Sequence, residues 1–146
     1  PINVMPSHAT LELDIRTLPG VDDDDVDAAI AAALGDLAEH VTIERLLSEP
    51  ATASSIDTGL YRAIEEALSA RYPGVRVVPV LMPGGTDLRV ARRRGGIGYG
   101  FGAYDSGASL GDVYAQLHAH DEHIALADVH ATAEVLHNVT TTYLGA

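Results

Sequence analysis

The sequence predicts an α/β fold, and three observations lead to this prediction. Residues 9–15, ATLELDI, alternate apolar and polar side chains with the period of two that is typical of a half-buried strand. The following VDDDDVDAAIAAALGDLAEH has acidic residues in its first turn and apolar residues at helical spacing, which indicates a helix. The run VTIERLL at residues 41–47 predicts a second strand. This order is half of a split β-α-β unit, which is marginally stable without another half or a partner.

The acidic run Asp22–Asp25 has two interpretations. It could hold a cation, or it could cap the first predicted helix. The glycine and the distal glutamate of a calcium-binding loop are missing from the sequence, so a capped and solvated helix start is favoured. The inward face of this helix is predicted to carry Val26, Ile30, Ala33, Leu34 and Leu37.

The second half of the chain follows a polar linker, SEPATASSIDT, at residues 48–58. A helix with Leu60, Ile64 and Leu68 on one face stops at Pro73-Gly74. Residues 75–82 and 97–104 are apolar and predict strands, with a glycine turn and a short basic helix between them. This is an α/β layer with too few strands to close its sheet. The terminal helix is predicted to bury the apolar residues Leu126, Val129, Ala133, Leu136, Val139 and Tyr143.

Composition excludes several classes of function. The net charge of −12 would repel nucleic acid and an anionic membrane surface. The chain contains no cysteine, so a disulfide framework and a structural zinc ribbon are excluded, and any metal is held by His, Asp and Glu. No apolar run approaches the roughly 20 residues that span a bilayer. We therefore expect a cytoplasmic protein, and the abrupt start at Pro1 suggests a segment of a longer one.

Two glycine-rich stretches are candidate binding sites. In PGGTDLR, residues 83–89, glycines at a strand end could leave backbone N–H groups facing an oxyanion or carboxylate, with Arg89 nearby. The same residues also suit a tight turn in which Thr86 and Asp87 cap a helix. In GGIGYGFG, residues 95–102, the glycines lie inside an apolar run and not between a strand and a helix, so nucleotide binding is rejected.

The stretch QLHAHDEHI at residues 116–124 carries three histidines and two carboxylates. In an extended segment His118 and His120 project to one side and His123 to the other, so one or two of them could bind one ion. HAHDEH resembles the zinc motif of the metallo-β-lactamase fold, but only a short segment follows it, and that fold needs later ligands. His130 and His137 on the terminal helix are interpreted as peripheral.

Four motifs in order, NVMPSHATLELDIRTLPG, PGGTDLR, the glycine-rich stretch and HAHDEHI, resemble the C-terminal part of the M20 metallopeptidase family. That family includes dipeptidases, glutamate-releasing carboxypeptidases, aminoacylases and succinyl-diaminopimelate desuccinylase. The resemblance implies that residues 1–50 are the second half of a lid and dimerisation domain, a ferredoxin-like half. Residues 55–146 would be the C-terminal portion of a zinc-aminopeptidase-like α/β catalytic domain.

The resemblance also implies roles for individual residues. In the family pattern H-x-x-x-E-x-I the first histidine binds one of two zinc ions, and it falls on His118. The lid asparagine and arginine that hold the substrate carboxylate and oxyanion fall on Asn3 and Arg16. The loop that lines the substrate pocket falls on Gly84, Gly85 and Thr86. The general base and most metal ligands belong to the family's N-terminal half, so no catalytic residue is assigned here and at most one partial zinc site is expected.

The sequence therefore predicts a fragment of a zinc-dependent peptidase or amidohydrolase. Its substrate would be a small peptide or N-acyl amino acid, cleaved next to a carboxylate-bearing group. The expected partners are the missing N-terminal half and a second copy bound through the lid. Alone, the chain is predicted to be inactive. The alternatives are a non-enzymatic association module that pairs through an exposed strand edge, and a stand-alone His/Asp metal-binding protein.

Overall fold

The computed structural model describes residues 3–145, whose regular backbone is helical. The chain divides into two compact units, Pro1–Ala53 and Ser54–Ala146. No helix within residues 3–145 is long and apolar enough to cross a membrane. The first unit contains α1, Asp23–Leu34, and a 3-10 helix, Gly35–His40. The second contains α2, Gly59–Arg71; α3, Leu88–Arg93; α4, Leu110–Gln116; and α5, Leu126–Leu144.

The predicted α/β fold is wrong for the described chain, because residues 3–145 form no strand and no sheet. The split β-α-β, ferredoxin-like half and the α/β layer of a catalytic domain are both absent from this part of the chain. Residues 9–15, 41–47, 75–82 and 97–104 lie outside the helices and form no ladder. A strand is stable only when its N–H and C=O groups pair with a neighbouring strand. Alternation of apolar and polar residues indicates which side chains could be buried, but it does not show that a neighbouring strand is present to pair with.

The acidic run begins a helix, as the sequence predicted. Asp22 and Asp25 form a reciprocal capping box, in which the Asp25 N–H donates to Asp22 Oδ1 at 3.0 Å and the Asp22 N–H to Asp25 Oδ2 at 3.1 Å. Arg45 forms ion pairs with Asp23 at 2.9 Å and with Asp27 at 2.5 Å. The carboxylates are therefore used in capping and in pairing with an arginine of the same unit.

The core of the second unit lies between α2 and α5, which pack against each other. Most of its side chains are small, so the two helix backbones can approach closely. Its buried members are Ala63, Ile64, Ala67, Ala103, Ala131, Val135 and Val139. In the first unit none of residues 3–53 is buried, and Leu11 and Leu13 are 80% and 64% exposed. The apolar core of the described chain is therefore found in the second unit.

The buried face of α5 differs from the predicted one. Its buried residues are Asp128, Ala131, Val135 and Val139. Of the six positions predicted to face inward only Val139 is buried, whereas Leu126, Leu136 and Tyr143 are 76%, 46% and 50% exposed. When apolar residues surround much of a helix, periodicity alone does not determine which face is buried. In α5 the face that contacts α2 is the one with small side chains.

The start of α2 is fixed by hydrogen bonds to a distant tyrosine. Thr58 caps the helix by accepting from the Tyr61 N–H at 3.0 Å. The Tyr99 hydroxyl donates to the Ser55 carbonyl at 2.5 Å and lies 2.6 Å from the Thr58 hydroxyl. The Tyr61 and Tyr99 rings meet edge to face at 5.5 Å. Residues 55–61 are thus anchored to the glycine-rich stretch.

Candidate functional site

The motif histidine His118 lies in an exposed turn that follows α4. Its backbone φ is +60°, and that of Asp121 is +61°. Few residues other than glycine adopt this left-handed conformation, although histidine and aspartate do so more often than most. Two such residues within four positions bend the segment tightly. The extended geometry assumed from the sequence therefore does not apply.

Within this turn the side chains of the motif bond to its own backbone. The His118 N–H donates to Glu122 Oε2 at 3.3 Å, which joins the two motif positions directly. His123 Nδ1 lies 2.7 Å from the Asp121 carbonyl oxygen. Because a carbonyl oxygen only accepts, Nδ1 is the donor of this hydrogen bond. The turn holds Glu122 and His123 against its own backbone.

The donor set of the described residues does not amount to a complete zinc site. Within residues 3–145 no three His, Asp or Glu side chains are close enough together to hold a metal ion. A catalytic zinc needs about three protein ligands and a water, and a two-metal site needs more. His118 could contribute one nitrogen ligand from its exposed position.

The glycine loop before α3 is exposed, from Gly84 to Asp87. Thr86 Oγ1 accepts from the Leu88 N–H at 3.3 Å, whereas Asp87 makes no capping bond with its side chain. A Cβ added to Gly85 would meet no atom within 4 Å, and its φ is not in the left-handed region. The fold of this chain thus places no requirement for glycine at position 85. In the described residues α3 does not pack against α4, so the glycine loop and the histidine turn are not joined by helix packing.

The glycines after α3 have a different origin. Gly95 has a φ of +80°, and a Cβ on Gly96 would lie 2.9 Å from the Ala91 carbonyl oxygen. Arg92 donates to the Gly98 carbonyl at 2.6 Å, and Ser54 Oγ accepts from the Gly98 N–H at 3.1 Å. Chain reversal explains the glycine at position 95, and close packing explains the one at position 96.

The two residues that the resemblance assigns to a lid, Asn3 and Arg16, belong to the first unit. Asn3 is exposed. Arg16 forms an ion pair with Asp14 at 2.5 Å, and its side chain is 56% exposed. Arg16 also lines an open groove, together with Ile15 and the apolar residues Val26 and Ile30 of α1. The groove thus combines an apolar floor with one guanidinium group.

A charged network that the sequence did not predict lies where the chain reaches α4. Arg71 of α2 pairs with Asp105 and, at 2.7 Å, with Glu134 of α5. The Tyr72 hydroxyl donates to Asp105 at 2.7 Å. The hydrogen bond from Tyr72, reinforced by that from Arg71, lowers the pKa of the Asp105 carboxyl. Only the fold brings these groups together, so no local pattern could have identified them.

Asp128 of α5 is a second charged residue that the sequence did not single out. It is only 4% exposed and accepts from the N–H groups of Asp105 and Ser106 and from the Ser106 hydroxyl, each at 2.7 Å. The hydrogen bond from the Ser106 hydroxyl, followed by those from the two backbone N–H groups, lowers the pKa of Asp128 although burial opposes this. The carboxylate is therefore ionised at neutral pH.

Comparison with known proteins assigns the family. The sequence matches the model of peptidase family M20/M25/M40 over residues 4–142. The chain belongs to this peptidase family. Neither the curated proteins nor the solved structures contain a match.

Family membership confirms the resemblance inferred from the four motifs, and it makes the chain part of a peptidase and hydrolase family. Peptidases of the M20 family are generally metal-dependent. The subgroup within the family, the identity of zinc and the bond that is cleaved are not distinguished by this match. The roles of Asn3, Arg16, Gly84–Thr86 and His118, and the division into lid and catalytic domain, stay predictions.

Proposed function

We propose that this chain supplies part of the catalytic machinery of a peptidase or amidohydrolase of the M20 family. The observation that carries the proposal is the family match over residues 4–142. The placement of His118 and Glu122 at the spacing of the family's metal motif, in an exposed turn, supports it further. The other ligands and the general base come, in this proposal, from polypeptide outside these 146 residues.

In this proposal His118 contributes one zinc ligand, and the glycine loop at Gly84, Gly85 and Thr86 borders the substrate. Gly85 supports this role because the fold itself does not require a glycine there. A missing side chain at an exposed position leaves room for a ligand to approach the backbone N–H groups. The loop would orient the substrate and would make no covalent bond to it.

Arg16 and Asn3 bind the substrate carboxylate and oxyanion in the same proposal. A planar guanidinium group suits a carboxylate because two N–H groups can donate to its two oxygens. The present partner of Arg16 is Asp14, and this pair is largely exposed. Exposed pairs contribute only about 0–1 kcal/mol, so a substrate carboxylate can replace Asp14 at small cost. Residues 1–50 would then act as the lid and residues 55–146 as part of the catalytic domain.

The first test measures the chain alone. Purified protein is incubated with zinc and a panel of dipeptides and N-acyl amino acids, and released amine is quantified. We expect no turnover, and we expect calorimetry to give no stoichiometric zinc uptake below micromolar concentrations. Metal-dependent turnover that is abolished by His118→Ala would refute the proposal that the catalytic site needs further polypeptide. Tight zinc uptake by the chain alone would instead favour a stand-alone metal-binding protein.

The second test uses a longer polypeptide that includes the missing ligands. In it His118→Ala is expected to lower kcat by about 100-fold or more, because a zinc ligand is lost. The matched control is His120→Ala, two positions away in the same exposed turn, which should retain activity. Equal losses in both variants would contradict the specific role of His118.

A second candidate function, association through the first unit, is supported by its exposed apolar side chains. None of residues 3–53 is buried, and exposed apolar patches often mark interaction sites. If a second copy binds here, sedimentation should detect a concentration-dependent dimer, and Leu13→Asp should weaken it more than the control Leu126→Asp on α5. A monomer at all concentrations would count against association.

A further inference from the structure

Asp128 joins two points of the chain that are distant in sequence. It lies in the first turn of α5 and is the charged residue that the described chain buries. Its Oδ1 accepts from two successive backbone N–H groups, those of Asp105 and Ser106, and its Oδ2 accepts from the Ser106 hydroxyl. All three donors belong to the segment that enters α4. One carboxylate therefore binds the incoming chain to the start of the outgoing helix.

Between these two points lies the histidine loop, which we define as residues 107–125. It contains α4 and the turn with His118 and Glu122. Among the helices of residues 3–145, α4 packs against no other helix, and none of its residues is buried. A helix of seven residues is unstable by itself, since helices shorter than about 12 residues are marginal in water. The order of the loop must therefore depend strongly on how its ends are held.

The contacts around Asp128 make the base of the loop rigid. Ala103, just before the base, exchanges two hydrogen bonds with the hydroxyl of Thr132 on α5, at 3.0 and 3.1 Å. Asp105 is bound to α2 through Arg71 and Tyr72. The incoming chain is thus tied to both helices of the core. Closing a loop at its base removes much of the conformational freedom of the residues within it.

We propose that Asp128 is a positioning residue that holds the histidine loop closed at its base and so sets where His118 lies relative to the α2–α5 core. The closure of the loop is inferred from the hydrogen bonds of Asp128 alone. That the position of His118 matters for catalysis rests on the proposed function. Asp128 itself binds neither metal nor substrate. It acts through the loop, by fixing the backbone of residues 105 and 106.

The test is hydrogen exchange of the metal-free chain, followed residue by residue by NMR. Asp128→Ala removes all three acceptor contacts. A hydrogen bond to a charged group is strong enough that its loss should accelerate exchange of the α4 amides by about tenfold or more. Exchange of core amides, such as those of Ile64 and Val135, should accelerate much less than exchange of the α4 amides. The control Thr140→Val, on the same helix, removes only a bond to the Leu136 carbonyl and should leave the loop unchanged.

A graded series separates positioning from general stabilisation. Asp128→Asn keeps an oxygen that can accept from the two backbone N–H groups, so it should restore most of the loop protection. If Asp128→Ala does not fold, Ser106→Ala takes its place. This variant removes the hydroxyl bond to Asp128 and the longer bond that the hydroxyl accepts from the Ala108 N–H at 3.4 Å, and it should accelerate loop exchange a few-fold. Equal acceleration of loop and core amides would mean that Asp128 only stabilises the whole unit, and unchanged loop exchange would mean that it does not close the loop. Either result overturns the proposal.

The outcome is independent of metal binding, because the exchange experiment contains none. If Asp128 closes the loop but His118→Ala does not affect activity in the longer polypeptide, the proposed function fails and the closure stands. If His118 is essential but Asp128→Ala leaves the loop protected, the proposed closure fails and the proposed function stands. In the longer polypeptide Asp128→Ala should lower kcat more than Asp128→Asn, as the exchange rates do.

Discussion

Replacing Val135 by alanine tests the packing of α5 against α2. Val135 is 0% exposed, whereas Val129 on the same helix is 40% exposed. Each substitution removes two methyl groups, worth about 0.8 kcal/mol apiece when fully buried. At Val135 a cavity remains as well, and at about 24 cal/mol per Å³ it raises the expected loss to about 2–3 kcal/mol. The gain in helix propensity on going to alanine is the same at both sites and cancels in the comparison.

The two variants are compared by urea unfolding, followed by circular dichroism at 222 nm. We expect Val135→Ala to lower the free energy of unfolding by about 2 kcal/mol more than Val129→Ala, with unchanged m-values. The sequence predicted Val129 on the inward face, so the same pair of variants distinguishes the two helix orientations. An equal loss at both positions, or a larger loss at Val129, would refute the packing described here.

Three further predictions concern glycines, acid and the turn. Gly96→Ala should destabilise by about 1–3 kcal/mol through overpacking, and Gly85→Ala should be nearly neutral, both measured by urea unfolding. Hydrogen bonds to the ionised carboxylates of Asp105 and Asp128 lower their pKa values and stabilise the folded state. This stabilisation is fully present above their ordinary pKa of 3.8. This stabilisation is lost as the pH falls through the lowered pKa values. In a pH series of thermal melts, the melting temperature should therefore be constant from pH 7 to about 5 and should decrease below about pH 4. His118→Val should lower the free energy of unfolding, measured in urea, by about 1–2 kcal/mol, because valine is strained at a left-handed φ. His118→Gly should not lower it, because glycine adopts this conformation freely.

Each of these predictions has an outcome that contradicts it. A stability loss in Gly85→Ala as large as that in Gly96→Ala would mean that the fold does require the first glycine. Acid unfolding that is unchanged by Asp128→Asn would remove this carboxyl from the explanation of the pH dependence. Equal stability of the valine and glycine variants at position 118 would argue against backbone strain there.

The sequence predicted those features of the fold that depend on neighbouring residues. The capped start of α1 at Asp22 is one example, because a cap and its N–H partner lie within three positions of each other. The helix Gly59–Arg71 is another, because its apolar spacing and the Pro73-Gly74 stop are also local signals. The strands failed because pairing needs a second segment at the right distance. For α5 the helix was predicted but its inward face was not, since the contact with Ala63 and Ala67 of α2 is not encoded locally.

The same distinction applies to the candidate site. Four motifs in order, the one with His118 and Glu122 among them, were enough to indicate the family, which the match over residues 4–142 then established. The conformation of the motif with His118 was not predictable, because the left-handed φ of His118 and the contact between Asp121 and His123 arise from a tight turn. The closure by Asp128 was hidden for another reason. An aspartate in the first turn of a helix suggests an ordinary interaction with that helix's own N-terminus, and only the fold shows that its acceptors serve residues 105 and 106.

Burial differs so much between the two units that their folding should depend on different interactions. The second unit has a core of buried alanine, valine and isoleucine between two helices, which is the kind of packing that produces cooperative unfolding. The first unit has a capped helix and exposed ion pairs around Arg45, and such pairs contribute little to stability in water. Substitutions of apolar residues in the first unit should therefore affect association with a partner more than they affect stability. The same substitutions at buried positions of α2 or α5 should do the opposite.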